Sequence, residues 1–131
     1  MKLLLDTHAF LWYYNGSKNL SETARKAIEN EGNDYFISIA SFWEIGIKVS
    51  LDKLSVDKPL DVFLAEIETD NLNILPISLP HILKLSSLSF HHGDPFDRTM
   101  IAQAIVENMN IVTKDKLFAP YAVQGAFKII W

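Results

Sequence analysis

The sequence predicts an α/β fold built on a parallel sheet covered on both faces. Three observations carry that expectation. Short apolar runs rich in β-formers, such as Leu3-Leu4-Leu5 and Ile111-Val112-Thr113, are too brief for helices. The longer stretches between them repeat apolar residues at helical spacing, and strands alternating with helices build parallel sheets. Asp6 and Asp115 come just after two of the strand-like runs, at the carboxyl ends where such sheets gather ligands.

The elements follow in order. Residues 2–5 read as a buried strand closed by Asp6, and residues 7–14 as a helix stopped at Asn15-Gly16. Ser21 is the expected N-cap of a helix over 22–30, with Glu22 in its first turn and Gly32 beyond its end. Residues 35–39 form the second strand, followed by a helix over about 41–51. Pro59 suits a first helical turn, and Leu60, Phe63, Leu64 and Ile67 make one stripe behind it. Residues 72–77 read as strand three, and Ser78 caps a helix carrying Ile82, Leu85 and Leu88. His91-His92-Gly93 is a loop. Asp94-Pro95 joins an N-cap to a proline at the first helical position, starting a helix that runs to about 108. Residues 111–113 are strand four, and 128–130 are a candidate last strand.

A chain of 131 residues fits one domain over 1–131, and 49% hydrophobic content supplies a core. Repeats, low-complexity segments and linkers are absent from it. With no cysteine, disulfides and zinc–thiolate sites are excluded. No apolar run nears the roughly 18 residues of a membrane span. The opening Met1-Lys2-Leu3-Leu4-Leu5-Asp6 is not expected to be a signal peptide, because a carboxylate interrupts it. These features point to a soluble cytoplasmic protein with no membrane partner. The net charge of −4 argues against coating nucleic acid through bulk charge. Local Lys and Arg patches remain available for it.

Four acids sit where apolar residues would be expected, each at the edge of a buried element: Asp6, Glu44, Asp97 and Asp115. Each has an ordinary alternative. Asp6 could cap the helix starting at Thr7, and Asp115 could be a turn residue. Glu44 shares a helical face with Ala40, Ile47 and Leu51, which aims it at the core, yet it could pair with Lys48 one turn later. Asp94 is an N-cap, and Asp97 could answer it as in a capping box, although it also shares a face with Ile101 and Ala104. Together these acids are harder to explain by capping alone. Clustered carboxylates repel by roughly 4 kcal/mol per pair at 4 Å in an effective dielectric of 20. Mg2+ or Mn2+, hard ions that prefer carboxylate and water, reverses that sign and suits phosphodiester hydrolysis. His91 and His92 are expected in helix packing or phosphate contact rather than in a zinc site. His8 could orient Asp6, touch substrate or simply pack.

These residues fall in motifs. Leu4-Leu5-Asp6-Thr7-His8-Ala9-Phe10-Leu11-Trp12 opens the chain, and Ser41-Phe42-Trp43-Glu44-Ile45-Gly46-Ile47-Lys48 stands in the middle. His92-Gly93-Asp94-Pro95-Phe96-Asp97-Arg98 with Ile101-Ala102-Gln103-Ala104, then Val112-Thr113-Lys114-Asp115, complete the set over residues 4–115. In this order they resemble PIN-domain ribonucleases, and specifically the VapC-like toxins of bacterial toxin–antitoxin pairs.

The resemblance implies a three-layer α/β/α fold with a central parallel sheet of about five strands. It implies a Mg2+- or Mn2+-dependent RNA endonuclease, in a homodimer held off by a cognate antitoxin. The family's acidic site falls on Asp6, Glu44, Asp97 and Asp115, with Asp94 as a neighbour that reaches metal through water. Thr113 matches the small hydroxyl residue beside the last acid. Thr7, Lys48 and Arg98 are the supporting positions, and the two basic residues are candidates to meet phosphate or an antitoxin carboxylate. One departure stands out: a glycine is common in the turn after the middle helix, where Leu51-Asp52-Lys53-Leu54 occurs here.

Two other functions compete. A Mg2+-binding receiver domain needs a phospho-accepting aspartate after a mid-chain strand, where Ile37-Ser38-Ile39-Ala40 has no acid, and adjacent acids after strand one, where only Asp6 is present. A catalytically silent PIN-fold binding protein has no use for an intact set of buried charges.

Overall fold

The computed structural model describes residues 1–123 and 125–131. Strand β1 (Lys2–Leu5) leads into helix α1 (Thr7–Tyr14), then α2 (Glu22–Glu29), β2 (Asp34–Ser38), α3 (Ile39–Ser50) and α4 (Leu60–Thr69). There follow β3 (Ile74–Leu75), α5 (Leu79–Ser87), α6 (Pro95–Glu107), β4 (Asn110–Val112), a 3-10 turn (Lys116–Phe118), α7 (Ala119–Ala122) and β5 (Ile129–Ile130). The five strands pair in the order β3-β2-β1-β4-β5, each pairing parallel.

Strand β1 is central, with Leu5 beside Ile37 on one side and Val112 on the other. Its alternating side chains divide the core in two. Leu3 and Leu5 pack with Phe10, Ala24, Ile28, Phe63 and Ile67, from α1, α2 and α4. Leu4 faces the other way, onto Met100, Ile101, Ala104, Phe118 and Tyr121. The result is the three-layer α/β/α arrangement with a five-stranded parallel sheet. The chain builds outward from β1 to β3, then returns to add β4 on β1's other side. That reversal opens a crevice at the carboxyl ends of β1 and β4.

The differences from the sequence reading have local causes. Helix α3 starts at Ile39, not near 41, because Ser38 caps it by accepting the Ala40 N–H at 3.0 Å. Strand β3 holds two residues rather than six; it is an edge strand that meets Pro76, which has no N–H to donate. Ile47, Leu51, Leu64 and Ile82 lie exposed rather than on the inner stripes of their helices. Residues 116–122, given no element by the sequence, form the 3-10 turn and α7. The turn after α3 works without glycine. Asp52 takes a left-handed φ of 54°, its N–H bonds Val49 O at 3.2 Å, and the Lys53 N–H bonds Lys48 O at 2.8 Å. This is the paired bonding of a Schellman ending, with aspartate accepting the conformation that glycine adopts more easily.

One buried polar residue ties the layers together. Gln103 of α6 is fully buried; its Oε1 accepts the Ser38 hydroxyl at 2.6 Å and its Nε2 donates to Pro76 O at 3.2 Å. It thereby anchors the ends of β2 and β3 to α6. Gln103→Leu would strand both partners and should cost about 1–3 kcal/mol in urea unfolding. Unchanged stability would show that water or a shifted neighbour replaces both bonds.

Candidate metal centre

Asp6 follows β1 and turns the chain into α1. Its Oδ1 accepts the Ala9 N–H at 2.7 Å as an N-cap, and its Oδ2 accepts the Thr113 hydroxyl at 2.5 Å. The residue is only 6% exposed. Burial pushes its carboxyl above the usual carboxylate range, and the two hydrogen bonds act against that rise. Thr113 also accepts the Asp115 N–H at 3.0 Å, so one hydroxyl links the ends of β1 and β4. Asp115 then caps the 3-10 turn, its Oδ1 accepting the Leu117 N–H at 2.9 Å.

Glu44 enters from α3 and is buried. Its Oε1 accepts the Thr7 hydroxyl at 2.6 Å, and its Oε2 is paired with Lys48. The core-facing and Lys48-paired readings therefore hold together. The hydrogen bond to Glu44 raises the Lys48 ammonium above its usual range, with burial opposing. Ser41 is buried beside Thr7 and Met100, at 3.0 and 3.5 Å, and not beside a histidine.

Asp94 caps α6, its Oδ1 accepting the Phe96 and Asp97 N–H groups at 2.9 Å each. Asp97 sits one turn in, with its side chain 19% exposed. Its carboxyl is pushed up to about 8, first by burial and then by the charges of Asp94, Asp6, Glu44 and Asp115. The acids singled out in the sequence thus act on one carboxyl at the sheet's carboxyl edge. An all-oxygen donor set under this repulsion fits a hard divalent cation.

The sequence missed His92 here. Its Nε2 lies 2.9 Å from Asp115 Oδ2 and 3.0 Å from Asp97 Oδ2, and the ring is buried edge-on against Phe118. No periodicity marks a loop histidine; its place two residues before Asp94 was the available signal. The neighbouring His91 packs against Tyr121 at a centroid distance of 5.3 Å.

Arg98, expected to meet phosphate or an antitoxin carboxylate, is engaged by acceptors of its own chain. Its guanidinium donates to Ser89 O at 2.9 Å, Tyr121 Oη at 3.2 Å, Leu88 O at 3.3 Å and His92 O at 3.4 Å. It also lies 4.1 Å over the Phe90 ring. With those acceptors filled and the residue buried, Arg98 clamps the 88–92 loop. His8 lies against Trp12 with ring centroids 5.7 Å apart and planes tilted by 37°, and both line a cleft of about 300 Å³ with Asp6, Lys114 and Asp115.

The PIN domain family model matches residues 3–123, and the chain belongs to that family. Ribonuclease VapC22 of Mycobacterium tuberculosis is 28% identical over 116 residues, which is 87% of each chain. A seed linoleate 9S-lipoxygenase of Pisum sativum is 29% identical over 106 residues; the match takes in 75% of this chain and spans only 12% of that enzyme. The VapC22 match runs nearly end to end in both chains, whereas the lipoxygenase match spans a small part of that enzyme. Among solved structures, VapBC2 from Rickettsia felis, bound to a DNA fragment from their promoter, matches with a TM-score of 0.72 and 20% identity. That likeness of fold covers 98% of this chain and 97% of the other.

The raised Asp97 pKa gives the metal-free protein a pH signature. Between the usual aspartate value of 3.8 and about 8, the folded state keeps a proton that the unfolded state has released. Its stabilising contribution is complete below the unfolded value and disappears as pH rises through the folded one. Urea unfolding in EDTA should therefore show stability falling from about pH 4 to about pH 8, a slope flattened by Asp97→Asn and reduced by Mg2+. A wild-type slope identical to that of Asp97→Asn would contradict this.

Proposed function

We propose that this chain is a Mg2+- or Mn2+-dependent endoribonuclease, the toxin of a type II toxin–antitoxin pair, working as one PIN unit in the cytoplasm. The carrying observation is the meeting of Asp97 and Asp115 within 4.8 Å at the sheet's carboxyl edge, where burial first, and then the charges of Asp94, Asp6, Glu44 and Asp115, push the Asp97 carboxyl up. The end-to-end match to a ribonuclease supports RNA as the substrate.

The ion's ligands would be Asp6, Glu44, Asp97 and Asp115, with Asp94 acting through water. Bound there, it supplies an acidified water and offsets charge on the transferring phosphate. The chain's own groups set the donors beforehand. Thr113 and the Ala9 amide hold Asp6, Thr7 and Lys48 hold Glu44, and the Asp94 cap orients the first turn beneath Asp97. The cleft beside Asp6 and Asp115 offers the His8–Trp12 pair to a base and Lys114 to a phosphate, a combination suited to single-stranded RNA.

A separate apolar groove of about 620 Å³ is lined by Trp43, Leu85, Phe90, Pro95 and Phe96 among others. Trp43 is 60% and Phe90 86% exposed, a large apolar surface to leave in water. This groove is where an antitoxin segment would seat, and the exposed Leu79, Ile82 and Leu83 of α5 offer apolar surface to a second copy of the chain. No helix among the described residues is long and apolar enough to cross a membrane.

Purified protein should cleave RNA in Mg2+ or Mn2+ and lose that activity in EDTA. Asp6→Asn and Asp97→Asn should each lower cleavage by at least about 100-fold while keeping the native circular dichroism, and metal-free Asp97→Asn should melt no lower than wild type. Undiminished cleavage in excess EDTA would defeat the mechanism, and absence of cleavage under all metals would favour a binding-only protein. Light scattering at micromolar concentration should give a dimer; a monomer would remove the homodimer from the proposal.

A further inference from the structure

We infer that His92 is a positioning residue for the metal centre: its Nε2–H bridges Asp97 and Asp115 and sets how the two carboxylates face the ion, while the ring itself does not ligate. This rests on the metal-dependent reading above and goes beyond it, because composition alone would make His92 a ligand. His92, Asp97 and Asp115 offer ligand atoms within 4.8 Å of one another, the grouping of a nitrogen-containing metal site.

The hydrogen-bond pattern decides against ligation. The Asp94 backbone N–H, which can only donate, points at His92 Nδ1 from 3.1 Å. Nδ1 must therefore present its lone pair, which puts the ring hydrogen on Nε2. An Nε2 carrying hydrogen has no lone pair for a cation. It donates instead, at 2.9 Å to Asp115 Oδ2 and 3.0 Å to Asp97 Oδ2. Ligation through Nε2 would require moving the hydrogen to Nδ1, against the Asp94 amide.

The residue is held through both its backbone and its ring. The His92 N–H donates to Tyr121 Oη at 3.0 Å, its carbonyl accepts from Arg98, and its ring rests edge-on against Phe118. Asp115 is fixed from the other side, its Oδ1 held by the Leu117 amide. One rigid N–H between two carboxylates draws both Oδ2 atoms toward a common point and offsets part of their repulsion. It does so without removing the remaining lone pairs from a cation. Partners of this kind orient metal-binding groups, and their loss commonly costs about 10–100-fold in metal affinity.

The test uses Mn2+ as the probe on the full chain, comparing wild type, His92→Gln and His92→Leu. Affinity is read from the free-Mn2+ paramagnetic resonance signal, and coordination from nitrogen modulation of the spin echo. The glutamine amide can place a donor near the Nε2 position, whereas leucine cannot. Wild type should bind Mn2+ with no coupling from a coordinated imidazole. His92→Gln should keep affinity within about threefold, and His92→Leu should lose about 10–100-fold. Imidazole coupling in wild type would make His92 a ligand and overturn the inference. So would wild-type affinity in a folded His92→Leu, since the role would then be packing alone. Should His92→Leu fail to fold by circular dichroism, the wild-type echo and His92→Gln decide: a loss of tenfold or more in the glutamine variant overturns the proposal. Wild type that binds no Mn2+ would defeat the metal-dependent reading itself, an outcome distinct from all of these.

Discussion

Carboxylate repulsion at the sheet's carboxyl edge is the constraint around which this small fold is arranged. Charges about 4 Å apart in an effective dielectric of 20 repel by roughly 4 kcal/mol per pair. A domain of this size is typically stable by about 5–15 kcal/mol, so several such pairs left unmet would rival its whole stability. The relief is local and specific. The Asp6 carboxylate receives a hydroxyl and an amide, Glu44 a hydroxyl and an ammonium, and Asp115 an amide and an imidazole N–H. Asp97 receives the His92 contact, and burial, with four neighbouring charges after it, pushes its carboxyl up to about 8. The remaining imbalance falls at the centre of the cluster, where a cation would relieve it most.

Capping and the proposed metal binding would fall to the same carboxylates. Asp6, Asp94 and Asp115 each cap a helical segment through Oδ1. For Asp6 and Asp115, Oδ2 faces the Thr113 and His92 side of the cluster. A helix start brings N–H donors and the positive end of the dipole, both of which ease a buried negative charge. The parallel sheet brings those starts to one edge because every strand runs the same way. Fold and site are therefore solved together: the crevice between β1 and β4 is also where helix N-termini can hold a cluster of acids.

How much of this could be read beforehand follows from the range of each interaction. Strand runs and caps were legible because they depend on neighbours within a few residues, as Asp94-Pro95 and Ser21 show. The short β3 and the exposed Ile47, Leu51, Leu64 and Ile82 were not, because burial depends on which face a partner covers. Ser38 was legible in principle as a cap, but the β-branched residues beside it favoured a longer strand. His92 and Tyr121 escaped for a deeper reason. Their partners lie 23 to 32 residues away, Asp115 for one and Ser89 for the other, with no periodicity to join them. Arg98 was noticed as a candidate for phosphate or an antitoxin carboxylate, but its loop-carbonyl acceptors are supplied by the folded chain and could not be read from its neighbours.

That loop shows how stability at a distance becomes geometry at the site. Tyr121 Oη takes the N–H groups of His91 and His92, donates to Ser89 O at 2.6 Å, and is itself met by Arg98. Arg98 is the residue after Asp97 on α6, so the helix that presents the central acid also fixes the loop that presents His92. Were the loop carried by a separate element, the spacing between His92 and Asp97 would drift with every fluctuation of their junction. Anchoring both to the first turn of α6, with α7 closing the frame through Tyr121, makes the spacing a property of one rigid unit. In the proposed centre the buried arginine would act without touching substrate: it holds the loop whose N–H faces Asp97 and Asp115.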